Sequence, residues 1–190
     1  IPSLATDAPS HEIGGLVYDQ LIRADKNIAW LPAMADSWEF TPDCLGLTFK
    51  LRKDVKWHDG HPFTAEDVVF TWQALVNPKT PAPFKQKFLQ VKAVEAPDPY
   101  TVRVTYAQPF GRALESWDEY VLPKHLLQGY VADGKLRESP QNKHPIGTGP
   151  YRFKEWKSGE KVVLVANPDY YLGRPYISRI VYRVIPSQAT

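Results

Sequence analysis

LTFKLRKDVKWHDG (residues 47–60), followed by PFTAEDVVF (residues 62–70), encodes a strand, a tight turn and a helix in succession. Leu47, Phe49 and Leu51 alternate with Thr48 and Lys50, the period of two that turns one face of a strand toward a core. Lys56-Trp57 reads as a short strand running into Asp59-Gly60, where glycine is free to take the positive φ of a tight turn. Thr64-Ala65-Glu66-Asp67 opens a helix. Thr64 is its N-cap, Asp67 three residues on makes an approximate capping box, and both acids sit at the positive end of the helix dipole. Val68, Val69, Trp72, Leu75 and Val76 recur at the spacing of a buried face. Asn77-Pro78 ends the run, because a residue before proline disfavours the α region.

Upstream, Trp38-Glu39-Phe40 alternates as a second strand, joined through a turn at Pro42-Asp43. Earlier still, Ile13, Leu16, Val17 and Leu21 fall near helical spacing behind the loop Thr6-Asp7-Ala8-Pro9-Ser10, with Ser10 as the expected N-cap. Downstream, residues 89–95 and 100–106 read as strands around the turn Ala96-Pro97-Asp98-Pro99. Short helices are expected over 110–117 and 123–127, with Pro123 suited to a first helical position. Residues 129–145 are polar and read as a surface excursion. Strands over 151–156 and 161–166, joined by Ser158-Gly159, precede a last strand over 177–185. The expected class is mixed α/β, an α+β arrangement with more strand than a doubly wound fold needs. The opening on a loop and the closing strand with no element after it suggest an excised piece of a larger protein.

Composition narrows the function. At 43% hydrophobic and 23% charged residues the chain can bury a substantial core. Its net charge of +2 comes from 23 basic and 21 acidic residues scattered along it, which gives no electrostatic reason to expect nucleic acid or an anionic membrane. One cysteine, Cys44, excludes an intrachain disulfide. It lies in a turn with no cationic cluster or helix N-terminus to activate it. No run approaches the roughly 20 apolar residues that span a bilayer, and Ile1-Pro2-Ser3 reads as mature protein, from which any targeting sequence would have been cut away.

No catalytic set is visible. His58 and His61 have a spacing some metal sites use, but no third ligand lies near in sequence. Ile146-Gly147-Thr148-Gly149-Pro150 lacks the lysine and hydroxyl of a phosphate loop, so it reads as a tight turn into a strand. Glu66-Asp67 and Asp118-Glu119 are adjacent pairs, which diverge on a helix and cannot flank a substrate. Six tryptophans suit a cleft with aromatic walls. Of these, Trp38, Trp57 and Trp72 lie on periodic faces and read as core.

Several segments, in order, resemble one known family. LVYDQL (16–21) is similar to its LVYDGL helix, and LPAMADSWE (31–39) to a segment ending in SWE. Residues 47–70 resemble its most diagnostic stretch. LPKHLL (122–127), PIGTGPYRFKEW (145–156), NPDYY (167–171) and the strand over 180–186 resemble later segments. The family is the dipeptide, oligopeptide and nickel solute-binding proteins, family 5, the capture components of ABC importers. Gln20 replaces a usual glycine, Tyr171 stands where tryptophan is common, and residues 77–117 follow no subgroup pattern, which leaves the ligand class open.

The resemblance implies a type II periplasmic-binding-protein-like fold. Residues 24–168 would form a small extra lobe, and residues 1–23 and 169–190 pieces of the large N-terminal lobe. It implies a binding protein that is not an enzyme and needs no cofactor or resident metal. It would be a monomer outside the cytoplasm, lipid-anchored or free, with a peptide as ligand, an ABC permease as partner and no nucleic acid. By position, Thr6, Asp7, Ala8 and Pro9 would line the ligand cleft. His11 would fall near a ligand contact of the metal-binding branch, and Phe84 and Trp117 would face the cleft from the small lobe. A nickel or metal-chelate binder, or a cytoplasmic regulator carrying this domain behind a DNA-binding module, are the alternatives.

Overall fold

The computed structural model describes residues 1–83 and 85–185. Phe84, Pro186 and the four residues after it lie outside the described residues.

The diagnostic stretch folds as its pattern dictates. Antiparallel strands β1 (Ile22–Ala24) and β2 (Trp30–Pro32) form a small ribbon. β3 (Ala35–Phe40) and β4 (Gly46–Leu51) begin a four-stranded antiparallel sheet. Gly60 takes φ +90°, but Lys56 makes only an isolated bridge to Pro62 rather than a strand. The helix α1 (Ala8–Val17) precedes all of these, and α2 (Ala65–Val76) follows. In α2 the Thr64 N–H donates to Asp67 Oδ2 at 3.0 Å, as the capping box requires.

β5 (Val91–Asp98) and β6 (Thr101–Tyr106) complete the sheet in the order β3-β4-β6-β5. The strand pair turns at Pro99-Tyr100, later than the Pro-rich segment suggests. Ala96 and Pro97 sit in the irregular register between Glu95 and Asp98, an arrangement that tolerates proline's missing donor. Leu47, Phe49, Val102 and Val104 from this sheet, with Trp57, Phe63, Val68 and Leu75, make one core. Each such fully buried side chain contributes roughly 1.5–3 kcal/mol relative to exposure.

A second core lies on the other face of α2, where Phe70 and Ala74 meet α3 (Lys124–Ala132) through Leu127 and Val131. Pro123 is the N-cap of α3, one position earlier than expected, and α3 runs about one turn into the segment read as a surface excursion. The rest of that segment forms 3-10 turns at Leu136–Glu138 and Pro140–Asn142. Residues 110–117 contain a 3-10 turn, Ala113–Trp117, in place of a helix.

The chain closes with an antiparallel three-stranded sheet, β7 (Tyr151–Lys157), β8 (Lys161–Ala166) and β9 (Arg179–Arg183), with α1 packed on β7. Gly159 takes φ +74° in the β7–β8 turn. Val163 pairs with Val181 and Leu164 with Ile180, so this sheet crosses the expected lobe boundary between residues 168 and 169.

The N-cap of α1 is Asp7, not Ser10. Asp7 is extended (φ −105°, ψ 145°) and its Oδ1 accepts the Ser10 N–H at 2.9 Å. Pro9 fits the first turn, where a missing N–H costs nothing. The helix stops at Val17, so Leu21 lies beyond it and packs into the first core.

Candidate functional site

Where α1 ends, three segments meet with almost no space between them. Gly149 donates its N–H to the Val17 carbonyl at 2.8 Å, and His58 N–H donates to the Gly147 carbonyl at 2.8 Å. The His58 ring closes the junction: Nε2 lies 2.9 Å from the Gly149 carbonyl, and Nδ1 accepts the Gly147 N–H at 3.3 Å. A Cβ on Gly147 would sit 1.9 Å from the Val17 carbonyl oxygen, and one on Gly149 would be 2.7 Å from the Leu16 oxygen. These two glycines are therefore required by backbone contact, which accounts for the Gly-Thr-Gly run without any phosphate. Burial pushes the His58 imidazole down to about 4, with the Arg152 charge adding to it.

A second junction joins segments 151 and 152 residues apart. Asp19 Oδ2 accepts from the Tyr170 hydroxyl at 2.8 Å and the Tyr171 hydroxyl at 2.6 Å. The Arg52 guanidinium lies over the Tyr171 ring, 5.1 Å from its centroid. Burial raises both phenols well above the usual tyrosine range, and the Asp19 carboxylate adds to the shift.

Beside the first junction, α1 and the Pro2–Leu4 turn face β7 and β8 across an open cleft of about 410 Å³. Its walls are apolar, with Leu4, Ile13 and Val17 opposite Phe153, Trp156 and Val162. Polar side chains share the lining: Asp7 and Ser10 at the start of α1, Tyr18 just past its end, and Arg137, Asn142 and Lys143 from the excursion. A concavity of this volume lined by both apolar and polar side chains suits a small organic ligand.

Of the residues expected at a site, Asp7 is on this cleft. Hydrogen bonds from Ser10 hold its carboxyl below the usual carboxylate range. Thr6, Ala8, Pro9 and His11 adjoin it in the chain but do not line it. His11 turns Nε2 back to the Ala5 carbonyl at 3.0 Å. Among the described residues no group of three or more His, Cys, Asp or Glu is arranged to hold a metal ion.

Trp117 is a core residue rather than a cleft wall. It is 4% exposed, packs against Phe49 and Phe88, and donates its indole N–H to the Tyr106 hydroxyl at 2.9 Å. Phe84 lies outside the described residues. The far wall of the cleft, Phe153, Trp156 and Val162, is absent from the sequence-based expectation. Trp156, 49% exposed at the end of a strand, is the signal that could have found it.

The profile of the bacterial extracellular solute-binding proteins, family 5 Middle, matches residues 29–190. The chain belongs to this family. It is 36% identical over 187 residues to the oligopeptide-binding protein AppA of Bacillus subtilis, covering 96% of this chain and 34% of that protein. The crystal structure of that AppA with a nonapeptide superposes with a TM-score of 0.88 at 35% identity, over 97% of this chain and 37% of that one. NikZ of Campylobacter jejuni in complex with Ni(L-His) gives a TM-score of 0.87 at 37% identity, over 97% of this chain and 36% of that one. The chain thus spans little more than a third of the length of these family-5 relatives, and its mixed α/β fold is that of the corresponding part of their structures. Among the described residues no helix is long and apolar enough to cross a membrane.

Proposed function

We propose that this chain is part of the substrate-capture component of an ABC importer, and that the protein carrying it takes up di- and oligopeptides. The observation that carries the reading is the AppA likeness, because it extends over nearly the whole chain in both sequence and structure and includes a peptide complex. Capture without catalysis suits the chemistry seen: a cleft of mixed apolar and polar lining, with His11 and His58 each bonded to a backbone carbonyl. The loop from Thr6 to Pro9 and the adjoining cleft are the part of the binding surface this chain contributes.

The protein works outside the cytoplasm as a monomer, lipid-anchored or free, and hands its ligand to a membrane permease, with no role for nucleic acid. Two lobes closing over the ligand would couple binding to an open–closed equilibrium. Residues 1–23 belong to one lobe, together with a segment starting near residue 150. A boundary there fits better than one at 168, since β7 and β8 share a sheet with β9.

A second reading, capture of a metal chelate, is favoured by the likeness to NikZ. Calorimetry of the natural protein that carries this chain tests both, with mixed short peptides titrated in one run and nickel plus histidine in another. Saturable heat with peptides alone supports the first reading. Heat with the chelate alone replaces it, and heat with neither removes both.

A further inference from the structure

The chain contains two Asp-Gly steps, Asp59-Gly60 and Asp133-Gly134. Glycine has no side chain to shield its nitrogen, so in this pair a backbone nitrogen readily reaches the carboxyl before it. The two steps share a backbone setting. Gly60 takes φ +90° and donates its N–H to the Trp57 carbonyl at 2.8 Å; Gly134 takes φ +70° and donates to the Val131 carbonyl at 3.1 Å. All four residues are exposed.

The carboxylates differ. Asp59 Oδ2 meets His125 Nε2 at 2.8 Å, and Oδ1 accepts the His61 backbone N–H at 3.0 Å. A carboxylate only accepts, so Nε2 is the donor. The His61 and His125 rings are stacked 4.1 Å apart, which seats that donor. Nothing lies within 4 Å of where a Cβ on Gly60 would stand, so bonds rather than packing restrain this turn. Asp133, at the C-cap of α3, has no side-chain hydrogen bond or ion pair among the described residues.

We propose that Asp133-Gly134 is a site of spontaneous isoaspartate formation, and that Asp59-Gly60 is kept from the same reaction by the bonds on its carboxylate. The glycine nitrogen attacks the aspartate Cγ, and one carboxyl oxygen leaves as water with the amide proton and the acid proton, which closes a five-membered imide. Water then adds at either imide carbonyl. Opening at the former backbone carbonyl leaves the chain running through the side chain, with a free α-carboxylate. The water lost equals the water gained, so no other reactant is needed and the mass is unchanged. At Asp59 both oxygens must first leave their donors. Burial acts upward on its carboxyl, but the bonds from His125 and the His61 N–H outweigh it and hold the group below the usual range, away from the neutral acid that loses water. At Asp133 no such bond stands in the way.

The modification would loosen α3. Lys135 N–H donates to the Tyr130 carbonyl at 2.7 Å beside the bond from Gly134 to Val131, the pair of bonds that caps a helix C-terminus. The extra backbone carbon of the isomer displaces both donors.

The reaction is independent of what the protein binds. The test is incubation of the full chain at neutral pH below its melting temperature, then proteolysis and separation of the isomeric peptides, with isoaspartate marked by an isoaspartyl methyltransferase. Isoaspartate should accumulate at Asp133 and about tenfold more slowly at Asp59, the factor expected from hydrogen bonds to a charged group. In the urea-denatured chain the difference should vanish. His125→Ala should raise the rate at Asp59 about tenfold, and His125→Gln, which keeps an N–H donor, should raise it less. Trp117→Phe, which weakens the chain away from both steps, should not raise it. Equal accumulation at the two steps in the folded chain, none at Asp133, or a difference that persists in urea would overturn the proposal. So would an unchanged rate at Asp59 in His125→Ala, or an equal rise there in Trp117→Phe or His125→Gln.

Discussion

Replacing Gly147 with alanine should be among the most damaging small changes available in this chain. The new Cβ would lie 1.9 Å from the Val17 oxygen and 2.6 Å from its carbonyl carbon, and both are backbone atoms that cannot rotate away. Relief requires the turn to move off α1. That movement strains three hydrogen bonds: Gly149 to Val17, His58 to Gly147, and Gly147 to the His58 ring. At about 1 kcal/mol net for each, the loss is roughly 3 kcal/mol. For a domain of 150–250 residues that corresponds to a fall of roughly 6–12 °C in the melting temperature. Thermal unfolding followed by circular dichroism is the assay, with Gly129→Ala as control. Gly129 lies inside α3 with nothing within 4 Å of an added Cβ, so alanine there should stabilise by about 0.5–1 kcal/mol. A Gly147→Ala chain melting within about 2 °C of wild type would refute the contact argument.

His58 carries a pH dependence whose sign is fixed. Its imidazole is protonated near pH 6.5 when unfolded and only at about 4 when folded, so stability is full above pH 6.5 and falls by up to about 3 kcal/mol on acidification to pH 4. Urea midpoints should show that slope in wild type and a flatter one in His58→Gln. Asp19→Asn should cost about 1–3 kcal/mol, because two half-buried hydroxyls then compete for one weaker acceptor. It should also lower the pH at which Tyr170 and Tyr171 ionise, read by absorbance at alkaline pH. Trp117→Phe should cost about 1–2 kcal/mol from the lost indole hydrogen bond, since the Tyr106 hydroxyl keeps its bond to the Ala113 carbonyl, and should leave ligand affinity unchanged.

Residues whose partners are close in sequence were the legible ones. The Thr64–Asp67 pair announced α2, and the alternation at Leu47, Phe49 and Leu51 announced β4, because each pattern is local. What escaped was Asp67's second task, accepting from Lys124 N–H 57 residues away, which depends on α3 docking beside α2. The Asp7 cap was readable, since Asp-Ala-Pro-Ser places a carboxylate three residues before a free N–H and proline in the first turn. Trp117 could not be assigned from spacing. Its burial follows from Phe49 and Phe88 arriving from elements far along the chain. The far wall of the cleft is likewise a tertiary product, formed where α1 faces β7 and β8.

Peptide capture is tested most directly by mass spectrometry of the small molecules released on denaturing the natural protein that carries this chain. A mixture of short peptides is the predicted result. A single metal chelate, or no released molecule at all, would contradict it.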